Sequence, residues 1–264
     1  MKPVTLDTLR EMKRAQQKIT CLTAYDYSFA SLLDRAGLDL VMVGDSLGMT
    51  MQGHATTLPV TLEHMAYHCA CVARGVSRAL VIGDLPFGSY QQGPAQAFDS
   101  AARLLQAGAQ MAKLEGGAPM VETVRFLVER GVPVCAHIGL TPQSLYQLGG
   151  YRVQGRDEAG ARRLREDAVR LQEAGASLLV LEAVPAALAR DISHALAIPT
   201  IGIGAGPDCD GQVLVLQDML GLYPRPSPKF ARNFMQGADS IEAAVQAYVE
   251  AVRGGTFPGP EHSY

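Results

Sequence analysis

Short apolar runs of strand length alternate with amphipathic stretches of helical period from residue 19 to residue 216. No other feature of the chain restricts its fold as much. The runs read as strands at 19–24 (ITCLTA), 38–43 (LDLVMV), 79–83 (ALVIG), 110–115 (QMAKLE), 132–137 (VPVCAH), 177–182 (SLLVLE), 199–203 (PTIGI) and 213–216 (VLVL). Between them, SFASLLDRAG, LEHMAYHCACVARG, AQAFDSAARLLQAGAQ, MVETVRFLVERG, DEAGARRLREDAVRLQEAGA and VPAALARDISHALAI carry apolar residues at i, i+3 and i+4, the spacing of a helix with one buried face. Gly37, Gly75, Gly108 and Gly175 follow the last periodic residue of their helices, where a left-handed cap favours a residue without Cβ. Strands that are apolar throughout, rather than alternating, belong in a parallel sheet covered on both faces. About eight β-α units favour closure into a (β/α)8 barrel over an open sheet. No linker interrupts the pattern, so residues 1–264 read as a single barrel domain.

With 48% hydrophobic and 19% charged residues the chain can build a large core. A formal net charge of -3 and the lack of any Lys/Arg block offer no footprint for nucleic acid or an anionic membrane, which leaves small molecules as the expected partners. The five cysteines, Cys21, Cys69, Cys71, Cys135 and Cys209, are odd in number and form no C-x-x-C pair, so they read as small hydrophobes and not as a disulfide framework. The polar opening stretch MKPVTLDTLREMKRAQQK has no signal-peptide core, and no apolar run reaches membrane-spanning length. The expected location is the cytoplasm.

Packing does not account for the way four of the strands end. LVMVGDS closes on Asp45, ALVIGD on Asp84, MAKLE on Glu115 and SLLVLE on Glu182. Burying an unpaired carboxylate costs several kcal/mol (about 3–5 when a partner is removed), and in a parallel barrel all strand C-termini share one face. Strand parity places Val41, Val43 and Asp45 on one face, as it does Ile82 with Asp84, Lys113 with Glu115, Cys135 with His137, and Val180 with Glu182. If that face is the interior, the carboxylates cap inward columns at the mouth. Asp45, Asp84 and Glu115 are an all-oxygen set that suits Mg2+ better than Zn2+, with Glu115 acting directly or through water. The bland reading makes them solvated loop residues or helix caps. Lys113 needs an anion, either Glu115 itself or a substrate carboxylate. The apolar run before Glu182 suggests desolvation of that carboxyl, making it a candidate base for a proton α to a carbonyl. His137 reads as a wall residue rather than a catalyst.

Three further segments flank the mouth. Residues 138–160 are too long for a simple connection and read either as a lid hinged at Gly149, Gly150 and Gly155 or as a surface excursion. GIGAG at 202–206 lacks the spacing of a dinucleotide fingerprint and reads as a tight turn. YPRPSPKFARNF at 223–234 is expected to fold against the barrel.

Nine words in order, TAYDYSFA (23–30), VGDSLGMT (43–50), DLPFGSY (84–90), KLEGG (113–117), HIGLTPQS (137–144), GGYRVQG (149–155), VLEAVP (180–185), IPTIGIGAG (198–206) and PKFARNF (228–234), resemble the ketopantoate hydroxymethyltransferase family over essentially the whole chain. The resemblance implies a barrel of the phosphoenolpyruvate/pyruvate type. It also implies transfer of a hydroxymethyl group from 5,10-methylenetetrahydrofolate to 3-methyl-2-oxobutanoate through a Mg2+-stabilised enolate, early in pantothenate synthesis. It assigns Mg2+ to Asp45, Asp84 and Glu115, substrate to Asp45, Ser46, Asp84 and Lys113, and the catalytic base to Glu182, and it implies a homodecamer. The departures from the family pattern, RDEAGARRLRED and YPRPS, bear on folate contacts and not on the metal centre. The nearest rival is a Mg2+-dependent carbon–carbon lyase or mutase of the same barrel group acting on a 2-oxo acid. Such enzymes carry a loop cysteine motif that is not found here. A non-catalytic barrel that senses a small acid would have no use for Lys113, Glu115 and Glu182 beside two strand-end aspartates.

Overall fold

A computed structural model describes residues 2–224 and 226–264. Met1, from the polar opening stretch, and Arg225, from the proline-rich stretch, lie outside the described residues. Eight strands, β1 (Ile19–Thr23), β2 (Leu40–Val43), β3 (Leu80–Asp84), β4 (Met111–Glu115), β5 (Val134–Gly139), β6 (Leu178–Glu182), β7 (Thr200–Ile203) and β8 (Gly211–Leu214), close a barrel in sequence order, with β8 paired to β1. All pairings are parallel. Seven strands overlap the expected segments closely. β8 starts two residues earlier than 213–216, because Leu216 opens a short helix, Leu216–Met219, whose first N–H donates to Thr23 Oγ1 at 3.0 Å.

The period-2 alternation divides each strand between two apolar layers. Leu22, Val41, Val43, Val81, Leu114 and Leu179 pack outward under the helices. Ile19, Cys21, Leu40, Met42, Ile82 and Leu178 fill the barrel interior, closed below by Val4 and by Leu9 of the helix Leu6–Arg14. Each fully buried aliphatic side chain contributes about 1.5–3 kcal/mol from removal of apolar surface from water. A C-terminal helix, Ile241–Arg253, completes the helical ring between β8 and β1, its Tyr248 hydroxyl donating to the carbonyls of Cys21 and Gln212 at 2.8 and 3.0 Å. The stretch before it folds against the barrel as expected, with Phe234 buried edge-on to Tyr248.

The glycine caps hold at Gly37, Gly108 and Gly175, whose φ angles are 85, 103 and 100°. Gly75 departs from that reading. It is the last residue of the helix Leu62–Gly75 and has no positive φ. A Cβ there would come within 2.6 Å of the Tyr27 carbonyl, so close approach to the neighbouring helix Tyr27–Arg35 is what requires the glycine.

Candidate active site

The carboxylates do meet at the C-terminal mouth, by two different routes. Asp84, Glu115 and Glu182 end β3, β4 and β6 in phase with the inward residues Ile82, Met111 and Val180. Asp45 does not. Val41 and Val43 belong to the outer layer, so the parity that groups them with Asp45 fails as an inward column. The strand ends at Val43, and the chain turns through Gly44 before Asp45. A Cβ on Gly44 would lie 2.9 Å from Ser46 Oγ, so any larger residue there would displace the Ser46 hydroxyl. Asp45 then donates its backbone N–H to Asp84 Oδ2 at 3.2 Å, which locks the turn onto β3.

Lys113 is paired, but not with Glu115. Its Nζ donates to Asp84 Oδ2 at 2.8 Å, with both side chains almost fully buried. The β3–β4 register sets Asp84 beside Lys113, and a neighbouring strand provides a closer partner than a residue two positions along the same strand. Burial would lower the Lys113 pKa, but Asp84, Glu115 and Asp45 outweigh it and raise it, so the ammonium stays charged.

Glu115 is engaged on both oxygens. Oε2 accepts from the Gln143 N–H at 3.0 Å, and Oε1 faces His137 Nδ1 at 3.4 Å. Burial raises its pKa, yet His137, Lys113 and the Gln143 N–H together bring it below the ordinary value. His137 spans two carboxylates, its Nε2 lying 3.4 Å from Glu182 Oε2. At these distances the ring makes ion pairs without well-aligned hydrogen bonds. Burial pulls the imidazole down, but Glu115 and Glu182 push it up to about 9, which makes it an imidazolium at neutral pH. Glu182 therefore faces a cation as well as the apolar run that precedes it. Asp45 stands at the opposite extreme. Burial first, then the charges of Glu115 and Asp84, push its carboxyl up to about 8.

Gln143, Tyr90 and Tyr25 join the site without any charge to announce them. Gln143 Nε2 donates to Asp45 Oδ2 and to the Leu85 carbonyl, both at 2.9 Å, and its Oε1 accepts from the Tyr90 hydroxyl at 2.6 Å. Tyr25 Oη and Ser46 Oγ share a hydrogen bond of 2.9 Å. The only signal for Gln143 was its position in the HIGLTPQS word. The first part of the 138–160 segment is thus packed into the site, with Thr141, Gln143 and Leu145 buried, while Tyr146 and Tyr151 further on are exposed. Gly149, Gly150 and Gly155 adopt positive φ of 69, 113 and 77°. GIGAG forms the tight turn expected of it: a Cβ on Gly204 would meet the Phe230 ring at 2.9 Å.

Two cavities share this mouth. A small one of about 140 Å³ is lined by Asp45, Ser46, Asp84, Lys113, Glu115, His137 and Glu182. A large one of about 880 Å³ begins at Ser46 and Glu182 and extends outward past Tyr151, Arg152, Arg156, Asp218 and Tyr264. Among the described residues, no three His, Cys, Asp or Glu side chains converge tightly enough to enclose a metal ion by themselves. Asp84 Oδ1 is nevertheless buried with no hydrogen-bond partner, and the Asp45 carboxylate is near enough to feel the charge of Asp84. An orphaned carboxylate oxygen beside a second carboxylate fits a hard divalent cation that draws its remaining ligands from water and a bound oxyacid.

The chain is similar to known proteins along its whole length. A family model described as ketopantoate hydroxymethyltransferase matches residues 3–260. A 3-methyl-2-oxobutanoate hydroxymethyltransferase of Azoarcus sp. (strain BH72) is 64% identical over 264 residues, covering 100% of this chain and 97% of the relative. Another bearing that name, from Methylobacillus flagellatus (strain ATCC 51484 / DSM 6875 / VKM B-1610 / KT), is 63% identical over 261 residues, 99% of this chain and all of the relative. Among solved structures, phosphonopyruvate hydrolase in complex with oxalate and Mg2+ superposes with a TM-score of 0.60 at 13% identity, covering 80% of each chain. A 2,3-dimethylmalate lyase of the PEP mutase/isocitrate lyase superfamily gives 0.59 at 21% identity, over 79% of this chain and 80% of the lyase. These distant structures share the barrel fold.

Proposed function

Because the chain belongs to the ketopantoate hydroxymethyltransferase family, a family of transferases, we propose that it moves a hydroxymethyl group from 5,10-methylenetetrahydrofolate to 3-methyl-2-oxobutanoate in pantothenate biosynthesis. The observation that carries this reading is the position of Glu182, which lines both the small charged cavity and the large one. A two-substrate carbon–carbon bond-forming reaction needs its base where the two substrates touch. The small cavity has the charge and size for a short 2-oxo acid, and the large one has room for a bulky one-carbon donor.

Asp45 and Asp84 would hold Mg2+, with Glu115 as the third carboxylate acting through water, since both its oxygens are already engaged. When bound, the ion supplies Lewis acidity that makes the substrate C3–H more acidic. The residues do the rest. Lys113 neutralises the substrate carboxylate, Asp45 and Ser46 confine its oxygens, and Asp84 fixes Lys113. Glu182 removes the C3 proton, steered by the imidazolium of His137. Water displaces both folate nitrogens from the methylene carbon, which releases tetrahydrofolate and leaves that carbon as a C=O. The C3 electron pair then bonds to it while the C=O electron pair moves to the oxygen, which takes up a proton and becomes the hydroxyl. We further infer action as one barrel domain over residues 1–264, assembly into a homodecamer and a cytoplasmic location. The described residues include no helix long and apolar enough to cross a membrane.

Purified protein given 3-methyl-2-oxobutanoate, Mg2+ and methylenetetrahydrofolate is expected to form the hydroxymethylated product and to lose activity on chelation. Turnover of the 2-oxo acid without folate, by carbon–carbon cleavage, would replace this reading with the lyase or mutase alternative. In a second test, Asp84→Ala is expected to weaken Mg2+ binding measured calorimetrically, and unaltered binding would sink the metal assignment.

A further inference from the structure

The large cavity contains one carboxylate that nothing so far explains. Asp218 sits on the short helix Leu216–Met219 immediately after β8, at the mouth, and lines the cavity together with Tyr223, Phe230 and Tyr264. Its Oδ1 is buried and accepts no hydrogen bond. Leaving such an oxygen unsatisfied costs roughly 1–3 kcal/mol or more for a charged group, and the fold could have avoided that cost with any apolar side chain. Burial also pushes the carboxyl up to about 6, which leaves it an anion at neutral pH.

We propose that Asp218 is the residue that selects the heterocycle of the one-carbon donor, accepting hydrogen bonds from the ring N3–H and the 2-amino group of the reduced pterin. This rests on the folate reading above and deepens it. The 2-amino-4-oxopyrimidine edge of a pterin presents two adjacent N–H donors about as far apart as the two oxygens of a carboxylate, and no other part of folate does. A part-buried carboxylate gains the charge-assisted pair with less desolvation than a fully exposed one would need. The aromatic rings of Tyr223, Phe230 and Tyr264, which line the same cavity, suit the flat faces of a bicyclic ring. Arg152 and Arg156 also line the cavity, and their charge matches the carboxylates of the glutamate tail. An anion for the ring and cations for the tail favour one orientation of the donor over its reverse.

The test compares wild type, Asp218→Ala and Asp218→Asn, using methylenetetrahydrofolate and an analogue that lacks the 2-amino group. Wild type is expected to disfavour the analogue by about 10- to 100-fold in KM, the scale of a hydrogen bond to a charged acceptor. Both variants are expected to raise KM for the natural donor by a similar factor, to leave KM for 3-methyl-2-oxobutanoate in place, and to lose the discrimination. A merely structural role would not erase discrimination between two ligands that differ in one amino group. Variants that retain it, or that bind the natural donor as tightly as wild type, overturn the assignment while the folate reading stands. If wild-type turnover does not depend on folate at all, both fall together.

Discussion

The two ends of the barrel interior are built from the same strands with the same alternation, yet they are opposite in chemistry. Below, Ile19, Leu40, Leu178 and their neighbours form a dry apolar plug in which nothing titrates near neutrality. Above, within a few residues along the same strands, Asp45, Asp84, Lys113, Glu115 and His137 are buried in mutual contact, and several of them are held far from their ordinary protonation. The lower half contributes stability without any opposing charge. The upper half is divided: pairing favours the charged forms of Lys113, Glu115 and His137, while the raised Asp45 carboxyl and the orphaned Asp84 Oδ1 are costs the folded state carries until substrates and a cation arrive. Substitutions at the two ends should therefore separate activity from stability in opposite ways.

Glu182→Gln should break the mouth most completely. Without a base, exchange of the substrate C3 proton into heavy water is expected to fall by about 10²–10⁴-fold, with the thermal midpoint lowered only modestly, since His137 keeps Glu115 as a partner, and Mg2+-dependent substrate binding nearly intact. Exchange at the wild-type rate would remove Glu182 from the role. The counterpart below is Leu178→Ala. Leu178 is fully buried in the plug at the start of β6, and its truncation is expected to cost about 2–5 kcal/mol in a denaturant titration, with turnover of the remaining folded enzyme within about twofold of wild type. If Leu178→Ala spared stability and abolished turnover, the division between the two ends would collapse.

How much of this division was legible depended on the kind of signal each residue carries. The plug could be read because apolar residues at period 2 leave a pattern in sequence, and the strand-end carboxylates stood out because they broke it. Asp84, Glu115 and Glu182 fell on the inward parity as a regular strand requires. Asp45 reached the same place by a turn at Gly44 that parity cannot express. The partner of Lys113 was hidden for a related reason: it is set by the stagger between strands, and the β3–β4 register favours Asp84 over the in-strand neighbour Glu115. Gln143 was illegible as chemistry, since an uncharged amide in a long connection resembles any surface glutamine until the fold buries it among four acceptors and donors.

Gln143 also supplies the next test. Gln143→Leu removes the amide donor to Asp45 and the acceptor of Tyr90, but keeps the backbone N–H that holds Glu115. Without that donor the Asp45 carboxyl is expected to rise beyond about 8, and Asp45 must be ionised to hold a cation. At pH 7.5 the Mg2+ concentration for half-maximal activity should increase by about tenfold, the equivalent of one hydrogen bond to a charged group, and the rising limb of the pH–rate profile should move to higher pH. A profile identical to wild type would show that Gln143 only fills space.

The smallest expected effect tests whether the mouth costs stability even outside the charged cluster. In the folded protein the Asp218 carboxyl titrates near 6, above its unfolded value of 3.8. A raised carboxylate pKa means the unfolded chain releases its proton first. The associated stability is therefore complete below about pH 4 and is lost as pH rises through 6. Asp218→Asn does not titrate, so it should be more stable than wild type by about 1 kcal/mol at pH 7–8, after allowing for the partial exposure of the group, and the gap should close toward pH 4. Thermal midpoints measured across that range would show it as curves that converge in acid. Parallel curves would mean that Asp218 is satisfied in the free protein, and would weaken both the contrast between the two ends and the case for a ligand that completes its hydrogen bonds.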